Sequence, residues 1–187
     1  MSALSPHKVF FLGLMMSNKG NPENNERLHQ MRSLVTQGVP NDATEEEWGT
    51  WLTAVSRGLL VLNDLWENYH HRAEPFPFHH EARAEARVMS MITDVTNTID
   101  LASVGDISAM PNRIIVWIIL RYRGEMADLE LGMVEGAHIR NALLSVQDLA
   151  GVMEAVQTVE VRCSPNPGFE VPDESLEIQY PEFIAVY

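Results

Sequence analysis

The fold class depends on one stretch of the chain, Ile114-Ile115-Val116-Trp117-Ile118-Ile119-Leu120. Its residues are apolar and largely β-branched, so it has no polar face, as expected for a central strand that is buried on both sides. Before Pro111, apolar residues recur every three or four positions, which indicates helices. Beyond Pro111 they alternate, which indicates strands. The sequence therefore predicts a helix-rich segment over 1–110 and a strand-rich segment over 111–187.

One strand and three helices are predicted before Pro111. The apolar run Val9-Phe10-Phe11-Leu12-Gly13-Leu14 is typical of a short buried strand. The predicted helices span about 23–37, 44–71 and 79–101, and Gly38 ends the first. The second begins with the capping box Thr44-Glu45-Glu46-Glu47, and its apolar stripe continues as far as Tyr69. The stripe predicted for the third helix comprises Val88, Met89, Ile92, Val95 and Ile99.

Several short strands are predicted beyond the central one. They lie over 126–135, 138–144, 158–163 and 176–187, and Pro181 indicates that the last lies at a sheet edge or contains a bulge. Residues 145–148 resemble a capping box and predict a short helix. Because helices and strands are segregated, we expect a single α+β domain over 1–187, with about three N-terminal helices packed on a mainly antiparallel C-terminal sheet that carries one short helix. The alternative is one continuous helix over 113–144.

The charge of the chain is strongly negative and unevenly distributed. The 187 residues have a formal net charge of −13. Residues 124–187 contain twelve carboxylates and two arginines, hence −10 of that total. A field of this sign repels phosphate backbones, so we expect no direct binding of nucleic acid. It suits either a solvated acidic face or a basic partner surface.

No targeting segment is recognisable. The apolar run Val9–Met16 is too short to span a bilayer, and the residues after it do not resemble a signal-peptide cleavage site. The single cysteine, Cys163, cannot form an intrachain disulfide. We expect it to be packed as a small apolar residue, because its neighbours Glu160 and Arg162 do not make a catalytic site. The sequence thus predicts a protein without membrane contact that is cytoplasmic or assembled in a particle.

Two Glu-x-x-His pairs are the candidate metal ligands: Glu67 with His70, and Glu135 with His138. On a helix this spacing puts a carboxylate and an imidazole on one face, as in ferritin-like di-iron bundles. Two observations oppose a metal site. With seven histidines and roughly one residue in ten a glutamate, about 0.7 such pairs are expected by chance. In addition, Glu135 lies in a predicted hairpin turn. The single carboxylates that would complete such a site are Glu26 and either Glu81 or Glu85.

A second histidine cluster flanks residues 72–78. It consists of the adjacent pairs His70-His71 and His79-His80, which could converge on zinc or nickel. Side chains of adjacent residues usually point apart, so one histidine of each pair would bind at most. The alternative is a surface connection. Glycine-rich phosphate-binding motifs and the G-x-S-x-G motif are missing, so we expect no organic cofactor.

Three functions remain open. The first is a non-enzymatic structural or adaptor subunit of a larger assembly, such as a viral or phage particle, that binds protein subunits of its own or another kind. Trp48, Trp51 and Tyr187 are its candidate interface residues, although core packing also explains the tryptophans. The second is a di-iron-like metal-binding helical protein. The third is an acidic inhibitor or decoy that occupies a basic groove of another protein.

Overall fold

The structure is a computed structural model that describes residues 6–99, 103–104, 110–130, 136–164, 169–170 and 182–186. The helices are α1 (Asn24–Gln37), α2 (Glu45–Val61), α3 (Glu81–Ile99), α4 (Ala127–Glu130) and α5 (Gly136–Ala150). The strands are β1 (His7–Ser17), β2 (Trp66–Phe76), β3 (Ser103–Val104), β4 (Arg113–Arg123), β5 (Val156–Ser164), β6 (Phe169–Glu170) and β7 (Ile184–Ala185). Short 3₁₀ turns occupy Asn63–Leu65, Phe78–His80 and Met153–Ala155. Within these ranges, no helix combines the length and apolar composition that a bilayer-spanning segment requires.

Five strands form one antiparallel sheet in the order β5-β4-β1-β2-β7. The first strand of the chain therefore lies at the centre of the sheet, and β3 pairs separately with β6. The predicted α+β class is confirmed. The predicted division at Pro111 is not clean, because the sheet takes β1 and β2 from the first half and α5 belongs to the second.

The two faces of the sheet are covered by different helices. Even-numbered residues of β1, from Phe10 to Met16, pack with α1, α2 and α5 on what we call the three-helix face. Odd-numbered residues such as Val9, Phe11 and Met15 pack with α3 on the α3 face. Because both faces are buried, neither can carry an unpaired polar side chain without a large desolvation penalty.

β4 confirms the predicted central strand. It pairs with β1 over eleven positions, from His7↔Arg123 to Ser17↔Arg113. Its residues alternate between the two cores, and each residue from Ile114 to Leu120 is at most 2% exposed. This double burial is why the run has no polar face.

Gly13 occupies the middle of β1 on the α3 face. A Cβ atom there would lie 2.6 Å from Cζ3 of Trp117 and 2.9 Å from Cζ of Phe183. The two aromatic rings meet edge to face, with centroids 5.4 Å apart. The missing side chain at Gly13 thus leaves the space into which the rings of Trp117 and Phe183 pack.

The predicted start of the second helix is confirmed. The backbone amide of Glu47 donates to Oγ1 of Thr44 at 3.2 Å, and the backbone amide of Thr44 donates to Oε2 of Glu47 at 2.7 Å. The hydrogen bond from the Thr44 amide, and then the one that the Thr44 hydroxyl donates to Oε2 at 2.9 Å, lower the pKa of the Glu47 carboxyl group. The predicted end of the first helix is confirmed as well, since Gly38 follows α1 with a φ of 58°.

The predicted continuation of the second helix to His71 is wrong. α2 ends at Val61, and β2 begins at Trp66 after a 3₁₀ turn. The ladder of hydrogen bonds with β1 outweighs the helical spacing of the apolar residues. Trp66 and Tyr69 are nevertheless both buried on the three-helix face. In a regular strand, two residues three positions apart point to opposite faces. Here a register shift against β1 lies between Trp66 and Tyr69, and the extra residue brings both side chains to the same face.

Two of the strands predicted beyond Pro111 are helical instead. α4 occupies the first part of 126–135, and residues 131–135 lie outside the described residues. α5 replaces the strand predicted over 138–144 and runs through 145–148, so the second capping box is also wrong. The buried side chains of α5 include Ile139, Ala142, Leu143, Val146 and Leu149. Their spacing forms one helical stripe, but a segment this short also contains alternating apolar positions, which explains the error. The alternative of a continuous helix over 113–144 is wrong too, because β4 is a strand.

The remaining predictions hold with smaller changes. α3 buries Val88 and Val95, whereas Met89 is 56% exposed and Met91 takes its place in the core. β5 confirms the strand predicted over 158–163. The predicted edge position of the last strand is confirmed by β7, which pairs with β2 alone among the described residues. Residues 100–101, the predicted 176–180 segment and Tyr187 lie outside the described residues.

The close approach of α2 and α5 at Gly49 generates a stability prediction. A Cβ atom at Gly49 would collide with the backbone carbonyl oxygen of Ala150, which cannot move aside without shifting α5. We expect Gly49→Ala to lower the free energy of unfolding by about 2 kcal/mol or more, although alanine favours helices. Urea denaturation monitored by circular dichroism measures this change.

Gly58→Ala is the matched control, because it makes the same substitution in the same helix. Its Cβ would meet Sδ of Met31 at 2.9 Å, and a thioether can move aside. We expect a loss below about 1 kcal/mol, partly offset by helix propensity. Equal losses for the two variants would contradict the close approach of the backbones at Gly49.

Candidate functional site

The structure describes three of the four predicted metal ligands, and they lie on two different elements. Glu67 and His70 lie on β2, so the predicted helical face that joins them is wrong. His138 lies in the first turn of α5. Glu135 lies outside the described residues. Within the described part of the chain, no group of three or more His, Cys, Asp or Glu side chains is arranged to hold a metal ion. The metal site remains a prediction.

Glu67 has structural partners at the start of β2. Its Oε1 accepts a hydrogen bond from Oγ of Ser17 at 2.5 Å, and its Oε2 accepts one from Nε of Arg113 at 3.2 Å. These residues come from β1 and β4, the two strands at the centre of the sheet. The Glu67 carboxylate thus links three strands at the end where β2 enters the sheet.

The candidate single carboxylates also have other surroundings. Glu26 accepts a hydrogen bond from Nε2 of Gln30, one turn along α1, at 3.0 Å. Glu81, at the start of α3, lies 3.7 Å from Arg121 and 3.9 Å from Arg123. Glu85 is exposed on α3. Glu26 and Glu81 are explained by local hydrogen bonding and ion pairing.

His70 and His71 point to opposite faces of the sheet, as expected for neighbours on an extended backbone. Nε2 of His71 lies 3.0 Å from the carbonyl oxygen of Leu129, to which it donates, on the three-helix face. Burial lowers the pKa of His71. On the α3 face, the His70 ring meets Phe11 and Phe183 at centroid distances of 5.1 and 6.1 Å. The rings of the second pair, His79 and His80, meet edge to face with centroids 4.3 Å apart in the 3₁₀ turn before α3.

A small cavity of about 80 Å³ borders His70. Its lining residues are Phe11, His70, Arg72, Met91, Asp94 and Glu182. Nδ1 of His70 is 3.7 Å from Oε1 of Glu182, beyond hydrogen-bond distance. Burial, and then the positive charge of Arg72, lower the pKa of His70 to about 4. At neutral pH the ring is therefore uncharged, which suits its aromatic surroundings.

Cys163 is buried, in agreement with the prediction of a packed small residue. It lies on β5 and packs in the core between the sheet and the helices of the three-helix face. Burial raises the pKa of its thiol to about 12, and the nearby charge of Arg32 opposes this only in part. A thiol that stays protonated at neutral pH is a poor nucleophile.

The tryptophans near the start of α2 contact each other edge to face, with centroids 5.7 Å apart. Trp51 is buried, and its Nε1 donates to the carbonyl oxygen of Leu34 in α1 at 3.1 Å. Trp48 packs against the same core and remains partly exposed. Core packing accounts for Trp51, while the interface roles of Trp48, Trp51 and Tyr187 stay predictions.

β5 forms one edge of the five-stranded sheet. It pairs with β4 from Ile115↔Ser164 to Tyr122↔Val156, and no other strand of the described ranges pairs with it. α1 packs on one of its faces, and on the other Nη1 of Arg162 donates to Oγ1 of Thr96 in α3 at 3.2 Å, while Val156 to Arg162 remain partly exposed. The outer side of β5 offers a partner a row of backbone amide and carbonyl groups.

The side chains of β5 alternate between apolar and charged. Val159, Val161 and Cys163 pack on the three-helix face. Glu160 and Arg162 oppose Ile119 and Trp117 on the α3 face. Nε of Arg162 donates to Oε1 of Glu160 at 2.7 Å, and the two side chains are 37% and 30% exposed. The edge thus carries one cation and one anion, two residues apart and accessible to solvent.

The sequence predicts the strand but not its use. Alternation of Val159 and Val161 with Glu160 and Arg162 indicates a half-buried strand. Whether such a strand is central or at an edge depends on the order of strands, which long-range pairing determines. A charge pair in a strand becomes a candidate interface feature only once that order is known.

Comparison with known proteins identifies no relative: the chain matches no family model, no curated protein and no solved structure. A function for this chain therefore has to be inferred from its own geometry, and above all from that of β5.

The low pKa of His70 generates a prediction of pH-dependent stability. The folded value of about 4 lies below the ordinary value of 6.5, so between these pH values the unfolded chain binds more protons than the folded one. The contribution of His70 to the free energy of unfolding is therefore complete above pH 6.5 and is lost as the pH falls towards 4. We expect this loss to be about 1–3 kcal/mol.

His70→Phe removes the ionisable group and keeps a flat ring between Phe11 and Phe183. Free energies of unfolding at pH 7.5, 6, 5 and 4 should show a smaller decline for this variant than for the wild type. Between pH 7 and 8 the two should depend on pH alike, which serves as the internal control. Parallel declines throughout would show that His70 accepts a proton in the folded state as readily as in the unfolded one.

Proposed function

We propose that the chain is a non-enzymatic structural or adaptor subunit that joins a larger protein assembly through the outer edge of β5. The observation that carries this proposal is the length of that edge: β5 has nine residues, from Val156 to Ser164, and all but Cys163 and Ser164 are partly exposed. An unpaired strand edge presents amide and carbonyl groups in the spacing that a further strand needs, and proteins use this to add strands from a partner.

β5 has some of the features that protect an edge strand from pairing and lacks others. It contains neither proline nor lysine, and its register shift against β4 lies at its beginning, opposite Arg121 and Tyr122. An isolated charge would discourage pairing, but Glu160 and Arg162 neutralise each other. The opposite side differs, because β7 has only two residues and the part of β2 that β7 does not cover, residues 70–76, contains Pro75. The asymmetry between the two edges favours β5 as the docking side.

The net charge constrains the forces that hold the assembly together. With −13 on the chain, long-range attraction does not bring two copies together, and contact with phosphate backbones is disfavoured. Backbone hydrogen bonds and short-range side-chain contacts would have to supply the affinity, so such an assembly should persist at high salt. An acidic decoy bound to a basic groove would instead release its partner as salt rises.

The proposal is tested on the intact chain by native mass spectrometry and sedimentation velocity, at low salt and at 0.5 M salt. We expect a defined oligomer or hetero-complex at both, with an interface above about 1,000 Å². A monomer at every accessible concentration, with no partner recovered from the source, would refute the proposal. Dissociation at 0.5 M salt alone would favour the decoy function instead.

Hydrogen exchange locates the contact. On assembly, amides in a peptide covering 156–164 should exchange more slowly, because the outer amides of β5 become hydrogen-bonded. A peptide covering β4 is the control, since that strand is paired on both sides already. Slower exchange elsewhere, with 156–164 unchanged, would move the interface away from β5.

A further inference from the structure

Antiparallel geometry restricts how β5 can pair with a second β5. Residues directly opposite each other lie on the same face of the sheet. Odd-numbered residues of β5 face α1, α2 and α5, and even-numbered residues face α3. The two copies are related by a two-fold axis perpendicular to the sheet, and this axis must pass beside one residue of β5. An axis between two residues would place an odd-numbered residue opposite an even-numbered one, and their side chains point to different faces.

The register centred on Val161 pairs every residue near the axis favourably. Glu160 lies opposite Arg162 of the second copy, and Arg162 lies opposite its Glu160. On the other face, Val161 meets its own counterpart and Val159 meets Cys163, so apolar residues oppose apolar residues. Opposite charges and apolar pairs at directly facing positions each stabilise a sheet.

The neighbouring registers are worse. Centring on Glu160 places two carboxylates directly opposite each other, and centring on Arg162 does the same with two guanidinium groups. Like charges at facing positions are destabilising. Centring on Val159 or Cys163 leaves neither charged residue opposite its counterion. Charge complementarity thus selects one register among those that the geometry allows.

We propose that a second copy of this chain is the occupant of the β5 edge, paired antiparallel over Val159–Cys163 about a two-fold axis at Val161. This proposal rests on the assembly function proposed above and specifies its partner. The pairing ends before Ser164, whose side chain and backbone are fully buried. The two five-stranded sheets then form one continuous sheet. Such an interface is isologous, so each Glu160–Arg162 contact occurs twice.

Charge reversal tests the register. Glu160→Arg places two arginines at each facing position, and Arg162→Glu places two glutamates there. Each variant alone should raise the dimer dissociation constant about tenfold or more, as measured by sedimentation velocity. An equimolar mixture of the two variants should form a heterodimer with near wild-type affinity, because each Arg then faces a Glu of the other chain. Native mass spectrometry distinguishes the heterodimer by mass.

The mixture separates contacts between chains from contacts within a chain. Each single variant loses its own Glu160–Arg162 pair, and mixing restores only the contacts between copies. Matched controls change the charge equally at exposed sites away from β5, with Glu85→Arg for the first variant and Arg140→Glu for the second. Both controls should dimerise as the wild type does. Circular dichroism of each variant verifies folding.

Each outcome bears on one proposal or both. An oligomer that survives both reversals, or a complex formed only with a different protein, overturns the β5 pairing but leaves the assembly function standing. Reversals that dissociate the dimer without recovery on mixing overturn the register. A wild-type chain that stays monomeric and recovers no partner overturns the pairing and the assembly function together.

Discussion

The pairing of β1 with β4 is the constraint on which the rest of the structure depends. The two strands run side by side for eleven positions and contribute apolar residues to both cores. Such a pair is stable only when both of its faces are removed from water. α3 covers one face, while α1, α2 and α5 cover the other. Once this centre is formed, β2 and β5 can only flank it, which leaves the outer side of β5 at the boundary of the sheet.

Elements that are determined by local interactions can be predicted from the sequence, whereas elements that are determined by tertiary contacts cannot. β4 is recognisable because a run without a polar face has few alternatives, and the start of α2 because a capping box is a local interaction. β2 and α5 are misread for a shared reason. Over short segments, periods of two and 3.6 fit the same apolar residues. Tertiary contacts decide between them: pairing with β1 makes 66–76 a strand, and packing against α2 makes 136–150 a helix.

The candidate site is less predictable than the fold. The Glu-x-x-His pairs are candidate metal ligands because on a helix this spacing places both side chains on one face. β2 is extended, however, and its Glu67 links three strands. The sequence does not single out Glu160 and Arg162, because two opposite charges in a strand are common. Their significance depends on the position of β5 in the sheet and on the parity that antiparallel pairing imposes. The position of β5 is a property of the whole sheet topology. The parity of antiparallel pairing restricts the register only when β5 pairs with a second copy of itself.

The glycine beneath Trp117 and Phe183 has a consequence for folding kinetics. The two rings that pack over Gly13 come from parts of the chain that are far from β1 in sequence. Contacts of this kind form only after the entropy of a long loop has been lost, which makes them slow to form. Until both rings are in place, the notch at Gly13 leaves apolar atoms of β1 in contact with water, and exposed apolar strands are prone to aggregate. The contact order of these few residues thus makes the α3 face a late-closing part of the core.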